Sequence, residues 1–146
     1  MNATASTFRH FNWWNIGLWL TQVLLALVFF NAGIAKVIES REELIERGWS
    51  WAADVSGPFI VFLGVMEVLA VIGIVLPAAT RILPILTPIA AAGMAVTQIS
   101  AIVMNDGGSV TNYVWLALAV FVVWGRTRKA PIAARPGFPA SQAQQV

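Results

Sequence analysis

The chain has no cysteine, which removes disulfide scaffolds, thiolate nucleophiles and cysteine-ligated metal centres. Its one histidine, His10, lies in a polar N-terminal stretch, so neither a histidine triad nor a histidine-rich metal site is expected. Charge is scarce as well. Asp, Glu, Lys and Arg make up 11% of the 146 residues, against about 25% in an ordinary soluble domain. A formal net charge of +2 is too small to point to nucleic acid. Apolar residues fill the remainder, 58% of the chain. That balance makes lipid the solvent, and the length fits one domain.

The apolar residues fall into long runs. The first starts near Ile16 and meets no charge until Lys36, about 20 residues or roughly 30 Å of helix, a full crossing. It is too long for the apolar core of a cleaved signal peptide and reads as a retained helix. The second run is Gly57 to Leu76, with Pro58 in its first turn and Pro77 placed to end it. Residues 77–81 then read as a tight turn. A third span runs from about Ile82 to Met104, with Pro84 and Pro88 in its opening turns, and a fourth from about Val110 to Trp124. Asn105-Asp106-Gly107-Gly108 is turn chemistry. Gly93, Thr97 and Ala101 form a small-residue stripe suited to close helix packing.

The expected fold is all-α: a four-helix transmembrane bundle over 16–126, between an N-terminal tail (1–15) and a basic, disordered C-terminal tail (127–146). Residues 39–56 form the one long connection and hold most of the acid. Ser40 and Glu43 fit a capping box, Gly48 is placed to stop the short helix, and Trp49 and Trp51 suit a headgroup position. A short interfacial helix is expected there.

Basic residues set the orientation. Arg9, Arg81, Arg126, Arg128, Lys129 and Arg135 share one side, Arg41 and Arg47 the other, with Lys36 at the boundary. The termini are therefore expected in the cytoplasm, in a multi-pass inner-membrane protein with the 39–56 segment outside. The basic tail reads as a topology determinant with affinity for anionic lipid.

Glu67 is the residue to suspect. It is the one charge in the second span, roughly 14 Å from the outer surface by helix rise. A carboxylate in hydrocarbon must be protonated, paired or turned to an internal cavity. Asn31 and Gln98 come out roughly 10 Å below the same surface, and Asn112 and Tyr113 near the mouth of the fourth span. Asn31, Glu67, Gln98, Asn112 and Tyr113 are thus the candidate lining of an outward-opening cavity. The amides could equally be interhelical glue. Lys36 is the obvious cation for Glu67, yet a depth count leaves the two about 10 Å apart. Lys36 either pairs with Glu67 or snorkels to the headgroups. As a chemical pair, Glu67 and Lys36 are the candidate catalytic residues.

Three runs carry a resemblance. LVFFNAGIAK (27–36), FLGVMEVLAVIGIVLP (62–77) and ILPILTPIAAAGMAV (82–96) are similar, in order and spacing, to the first three helices of DoxX-like membrane proteins. The resemblance covers roughly 16–126 and implies a four-helix membrane bundle. It carries over Gly33, Lys36, Gly64, Glu67 and Pro77 as signature positions. Asn105 stands where members often have a histidine, which speaks against proton or metal chemistry at that point. The family includes subunits of quinone-linked sulfur oxidoreductases and partners of membrane redox complexes. The leading expectation is therefore a protein that binds a small lipophilic molecule such as a quinone, holds no covalent cofactor, and assists a redox enzyme subunit or a second copy of itself. Alternatives are an enzyme of the isomerase or epoxide-opening type with Glu67 as general acid or base, a small proton-coupled exporter, and a structural subunit packed solid around Glu67.

Overall fold

The computed structural model describes residues 12–105 and 107–137. Arg9, His10, Asp106 and the tail beyond residue 137 lie outside them. Five α-helices follow one another: α1 (Trp13–Ile38), α2 (Arg41–Glu46), α3 (Gly57–Thr80), α4 (Leu86–Met104) and α5 (Val110–Trp124). Four are long and apolar enough to cross a membrane, the last counted to Lys129. They run up and down in a closed ring, α1 against α3, α3 against α4, α4 against α5 and α5 against α1. The bundle thus has a loop end, where α1 stops and α5 starts, and a terminal end, where α1 starts and α5 stops.

Helix α1 begins at Trp13, three residues earlier than the sequence indicates, because Asn12 caps it: its side chain accepts from the Asn15 N–H at 3.3 Å. It stops where Glu39 turns extended. The capping box of α2 is present in full, Ser40 Oγ accepting from the Glu43 N–H and Glu43 Oε2 from the Ser40 N–H at 2.6 Å. Gly48, at φ 91°, takes the left-handed turn that ends this segment. A 3₁₀ turn at Ser50–Ala53 follows. Leu44, Ala52, Ile60 and Ala35 make a small apolar core beneath it, and Arg41 ties it down by donating to the Val55 carbonyl at 2.6 Å.

Pro77 does not end the second span, and 77–81 is not a tight turn. Helix α3 runs on to Thr80. Pro77 lies in the last turn, where the missing N–H costs one intrahelical bond and no following turn has to be built on it. The chain reverses at Arg81, which is left-handed at φ 60°, and again at Leu83, at φ 48°. The third span starts at Leu86 rather than Ile82, which leaves Pro84 in the connection and Pro88 in the first turn. Gly107 and Gly108 take positive φ in the last connection, and Ser109 with Asn112 forms a capping box for α5.

The C-terminal boundary also moves. Beyond Trp124 the chain continues through a π-helical turn, Gly125–Lys129. Gly125 passes α1 so closely that a Cβ there would stand 2.3 Å from a Leu18 methyl. The Arg135 N–H donates to the Arg81 carbonyl at 2.9 Å, so the segment after the turn is strapped across the terminal end.

Between the two ends lies a packed apolar layer that includes Leu25, Phe29, Ile74, Met94 and Val122. The outside of the bundle is apolar too, with Leu20, Leu27, Val103 and Val110 among its exposed side chains. In water such a surface would aggregate, whereas lipid solvates it.

Candidate functional site

Helices α1 and α3 meet backbone to backbone at Gly33 and Gly64. A Cβ on Gly64 would stand 2.6 Å from the Gly33 carbonyl oxygen, and one on Gly33 would stand 2.9 Å from that of Gly64. The two helices are antiparallel, so Lys36 lies one turn toward the loop end of this contact and Glu67 one turn toward the terminal end. Their Cα atoms are then offset by about 9 Å along the bundle. Side-chain direction closes the gap. In a helix the Cα–Cβ bond leans toward the N-terminus. Lys36 therefore leans down and Glu67 leans up, toward each other. Lys36 Nζ donates to Glu67 Oε2 at 2.8 Å. Both side chains are about nine-tenths buried. The side chains bridge the backbone offset, so Lys36 pairs with Glu67 and does not snorkel.

The lysine head is held from above as well. It sits 4.5 Å from the Trp49 ring centroid and 6.0 Å from that of Trp51. The two indoles stack on one another at 6.5 Å. The indoles fold over Lys36 because Leu44 and Ala52 pull the 39–56 segment back onto the bundle. A cation over an indole face gains roughly 0.5–2 kcal/mol according to its desolvation.

The ion pair forms one wall of a cavity of about 690 Å³ at the loop end. Trp49 and Trp51 roof it, and Val28, Phe29, Leu63, Val96 and Met104 supply apolar walls. Across from the pair are Gln98, Asn105, Asn112 and Trp115. Asn112 is fully engaged: Oδ1 accepts from the Ser109 N–H and hydroxyl, and Nδ2 donates to Gln98 Oε1 at 3.0 Å. That fixes the Gln98 carboxamide with its NH2 group unpartnered among the described residues. One oxygen of Glu67 is likewise without a hydrogen bond there.

Of the predicted lining, Glu67, Gln98 and Asn112 come together with Lys36. Asn31 and Tyr113 do not. Asn31 is exposed on the outer face of α1, and Tyr113 is 51% exposed on α5. They stand level with the cavity-lining Ala32 and Asn112 but on faces turned away from the cavity. The small-residue stripe also misses its role. Gly93 is exposed, and a Cβ there would meet nothing within 4 Å, whereas Thr97 and Ala101 line the cavity.

A second buried polar cluster, absent from the site residues predicted by sequence, lies at the terminal end. Gln22 is fully buried, donates to the Ile74 carbonyl at 2.8 Å and accepts from Arg126 Nε at 2.6 Å. Arg126 also donates through Nη1 to Asn15 at 2.7 Å. Arg126 thus joins Lys36 and Glu67 as a buried ionisable group within the spans. The signals were present: Gln22 is a carboxamide deep in the first span, and Arg126 stands only two residues beyond Trp124.

The arrangement of α1, α3 and α4 around the signature glycines and Glu67 agrees with a sequence finding. The model of the DoxX-like family matches residues 20–125. The chain belongs to the DoxX-like family. It is a multi-pass membrane protein whose matched segment reaches from within α1 to the end of α5. No curated protein and no solved structure matches it.

Proposed function

We propose that this DoxX-like protein binds a small lipophilic molecule with a polar ring head, a quinone being the class that fits best, and serves a redox partner in the membrane. One observation carries the reading: a cavity with apolar walls in which a few polar groups converge from different helices. Lys36 and the free NH2 of Gln98 are donors suited to ring carbonyls, and Trp49, Trp51 and Trp115 offer flat surfaces for a ring. Such a pocket is what a structural subunit packed solid around Glu67 would lack. With the termini in the cytoplasm, the cavity opens toward the outer leaflet and α2 lies at that surface.

Purified protein titrated with a short-tailed benzoquinone tests this. Saturable quenching of tryptophan fluorescence is the expected result. It should be weakened about tenfold in Gln98→Leu, which removes one donor, and also in Glu67→Gln, which releases the Lys36 head from its place beside the cavity, and unchanged in Asn31→Leu. Quenching that does not saturate, or that ignores Glu67→Gln, overturns the proposal.

A second reading rests on the free Glu67 oxygen, which would let the pair act as base and acid on a bound lipophilic epoxide or isomerisable substrate. Turnover by the parent protein and none by Glu67→Gln would favour it. The exporter reading is the least supported. Glu67 is not a lone carboxylate, and the packed layer around Leu25 and Ile74 closes the cavity off from the terminal end.

A further inference from the structure

Arg126 is 4% exposed, and no acid accompanies it. Its hydrogen-bond and ring partners are neutral: Gln22, Asn15, the Ala130 carbonyl at 3.3 Å, and the Trp19 ring at 5.7 Å. Nη2 has no hydrogen-bond partner among the described residues. A buried guanidinium whose charge is uncompensated is expensive. The sequence offers no acidic side chain to compensate it. Every Asp and Glu of the chain falls between Glu39 and Glu67 or at Asp106, and none in the segments that build the terminal end. That end instead gathers Arg81, Arg126, Arg128, Lys129 and Arg135.

Arg126 lines a cavity of about 310 Å³, walled on its other sides by Asn12, Asn15, Arg81 and the strap at 130–133. Two arginines thus border one small space. Helix α1 begins at the same place and adds the partial positive charge of its first turn. Arg81 holds a left-handed backbone position, where glycine is the less strained choice. The carboxamides of Gln22 and Asn15 fix the guanidinium plane, so that no ordering is left to be done when an anion arrives.

From this geometry we infer that the terminal-end cavity is a binding site for a phosphate group, held between Arg81 and Arg126. Planar guanidinium groups match phosphate oxygens, and basic pockets between transmembrane helices take anionic headgroups. The site is separate from the Lys36–Glu67 cavity and does not depend on what that cavity binds. The phosphate is either the diester of an anionic lipid or a free phosphate ion, and the two sources are separable by experiment.

Full-length protein is placed in nanodiscs of phosphatidylcholine alone, or of phosphatidylcholine with phosphatidylglycerol, and thermal unfolding is followed with and without inorganic phosphate at constant ionic strength. A higher Tm is expected. If phosphatidylglycerol raises it, the source is lipid; if inorganic phosphate raises it in phosphatidylcholine alone, the source is the free ion. Arg81→Gln, at an exposed position, should fold and bind phosphate about tenfold more weakly, the loss of one charge-assisted bond, which is read as a smaller Tm shift at the same phosphate concentration. Arg128→Gln, an exposed neighbour on the same turn, should keep it. The proposal is overturned if neither phosphate source moves Tm, if the shift survives intact in Arg81→Gln, or if Arg128→Gln removes it equally.

Discussion

Gly33 and Gly64 pass backbone to backbone: each would place a Cβ within 2.9 Å of the other's carbonyl oxygen. A rigid backbone oxygen cannot give way as a flexible side chain can. Gly64→Ala should therefore force α1 and α3 apart and cost about 1–3 kcal/mol, the usual range for overpacking. It should also weaken the Lys36–Glu67 contact. Gly93→Ala meets nothing within 4 Å and should be neutral or stabilising by up to about 1 kcal/mol through helix propensity. Unfolding titrations in mixed micelles compare the two, and equal effects would contradict the assigned packing.

Lys36 and Glu67 form an ion pair that is buried on both sides. Lys36→Met leaves a carboxylate buried without its cation and should destabilise the bundle by about 3–5 kcal/mol. The double variant with Glu67→Gln removes both charges and should recover most of that. A Lys36→Met protein as stable as the parent would show that the ion pair contributes nothing to the fold.

At the terminal end, Gln22→Leu keeps the volume but strands the Ile74 carbonyl and Arg126 Nε, both of which Gln22 satisfies. A loss of about 2–4 kcal/mol is expected, the sum of two unmade buried bonds, one to a charged group. Stability unchanged within error would mean that water replaces the carboxamide.

Glu43 gives a pH signature outside the membrane spans. The Ser40 amide foremost, helped by the Ser40 hydroxyl, holds its carboxyl below the usual 4.5. A lowered folded pKa means that the contribution of the cap is complete above pH 4.5 and is lost as pH falls through the folded value. The Ser40 amide resonance should follow that titration, with a midpoint below 4.5. A midpoint at or above it would mean that the capping box does not form in solution. Glu43→Gln should abolish the titration.

Orientation can be read directly, since the chain has no cysteine of its own. Ser50→Cys should react with an impermeant maleimide on intact cells, and Ser141→Cys should react only after lysis. The reverse pattern would invert the membrane orientation and place the Lys36–Glu67 cavity on the cytoplasmic side.

Much of this was legible in one dimension. The number of spans follows from the spacing of charge along apolar runs, because the cost of burying a charge in lipid does not depend on which way a helix is turned. The capping box at Ser40 and Glu43, the stop at Gly48 and the turn at Gly107-Gly108 are local, and local chemistry decides them. Depth was legible too, since helix rise is constant: Glu67, Gln98 and Asn112 do lie together near the loop end.

Azimuth was not. The spanning helices are apolar nearly all round, so no amphipathic stripe says which face turns inward. Asn31 and Tyr113 stand level with the cavity but on the wrong face for that reason, and Gln22 faces inward unannounced. Contact across the sequence decided the rest. Gly33 against Gly64 sets how near α1 and α3 come, and the opposite lean of side chains on antiparallel helices then brings Lys36 onto Glu67. The return of Trp49 and Trp51 over Lys36, and of Arg126 onto Gln22, are likewise encounters between segments far apart in the chain. Hydropathy determines that a helix enters the membrane. Only packing against its neighbours determines how it is rotated there, and the site is made by that rotation.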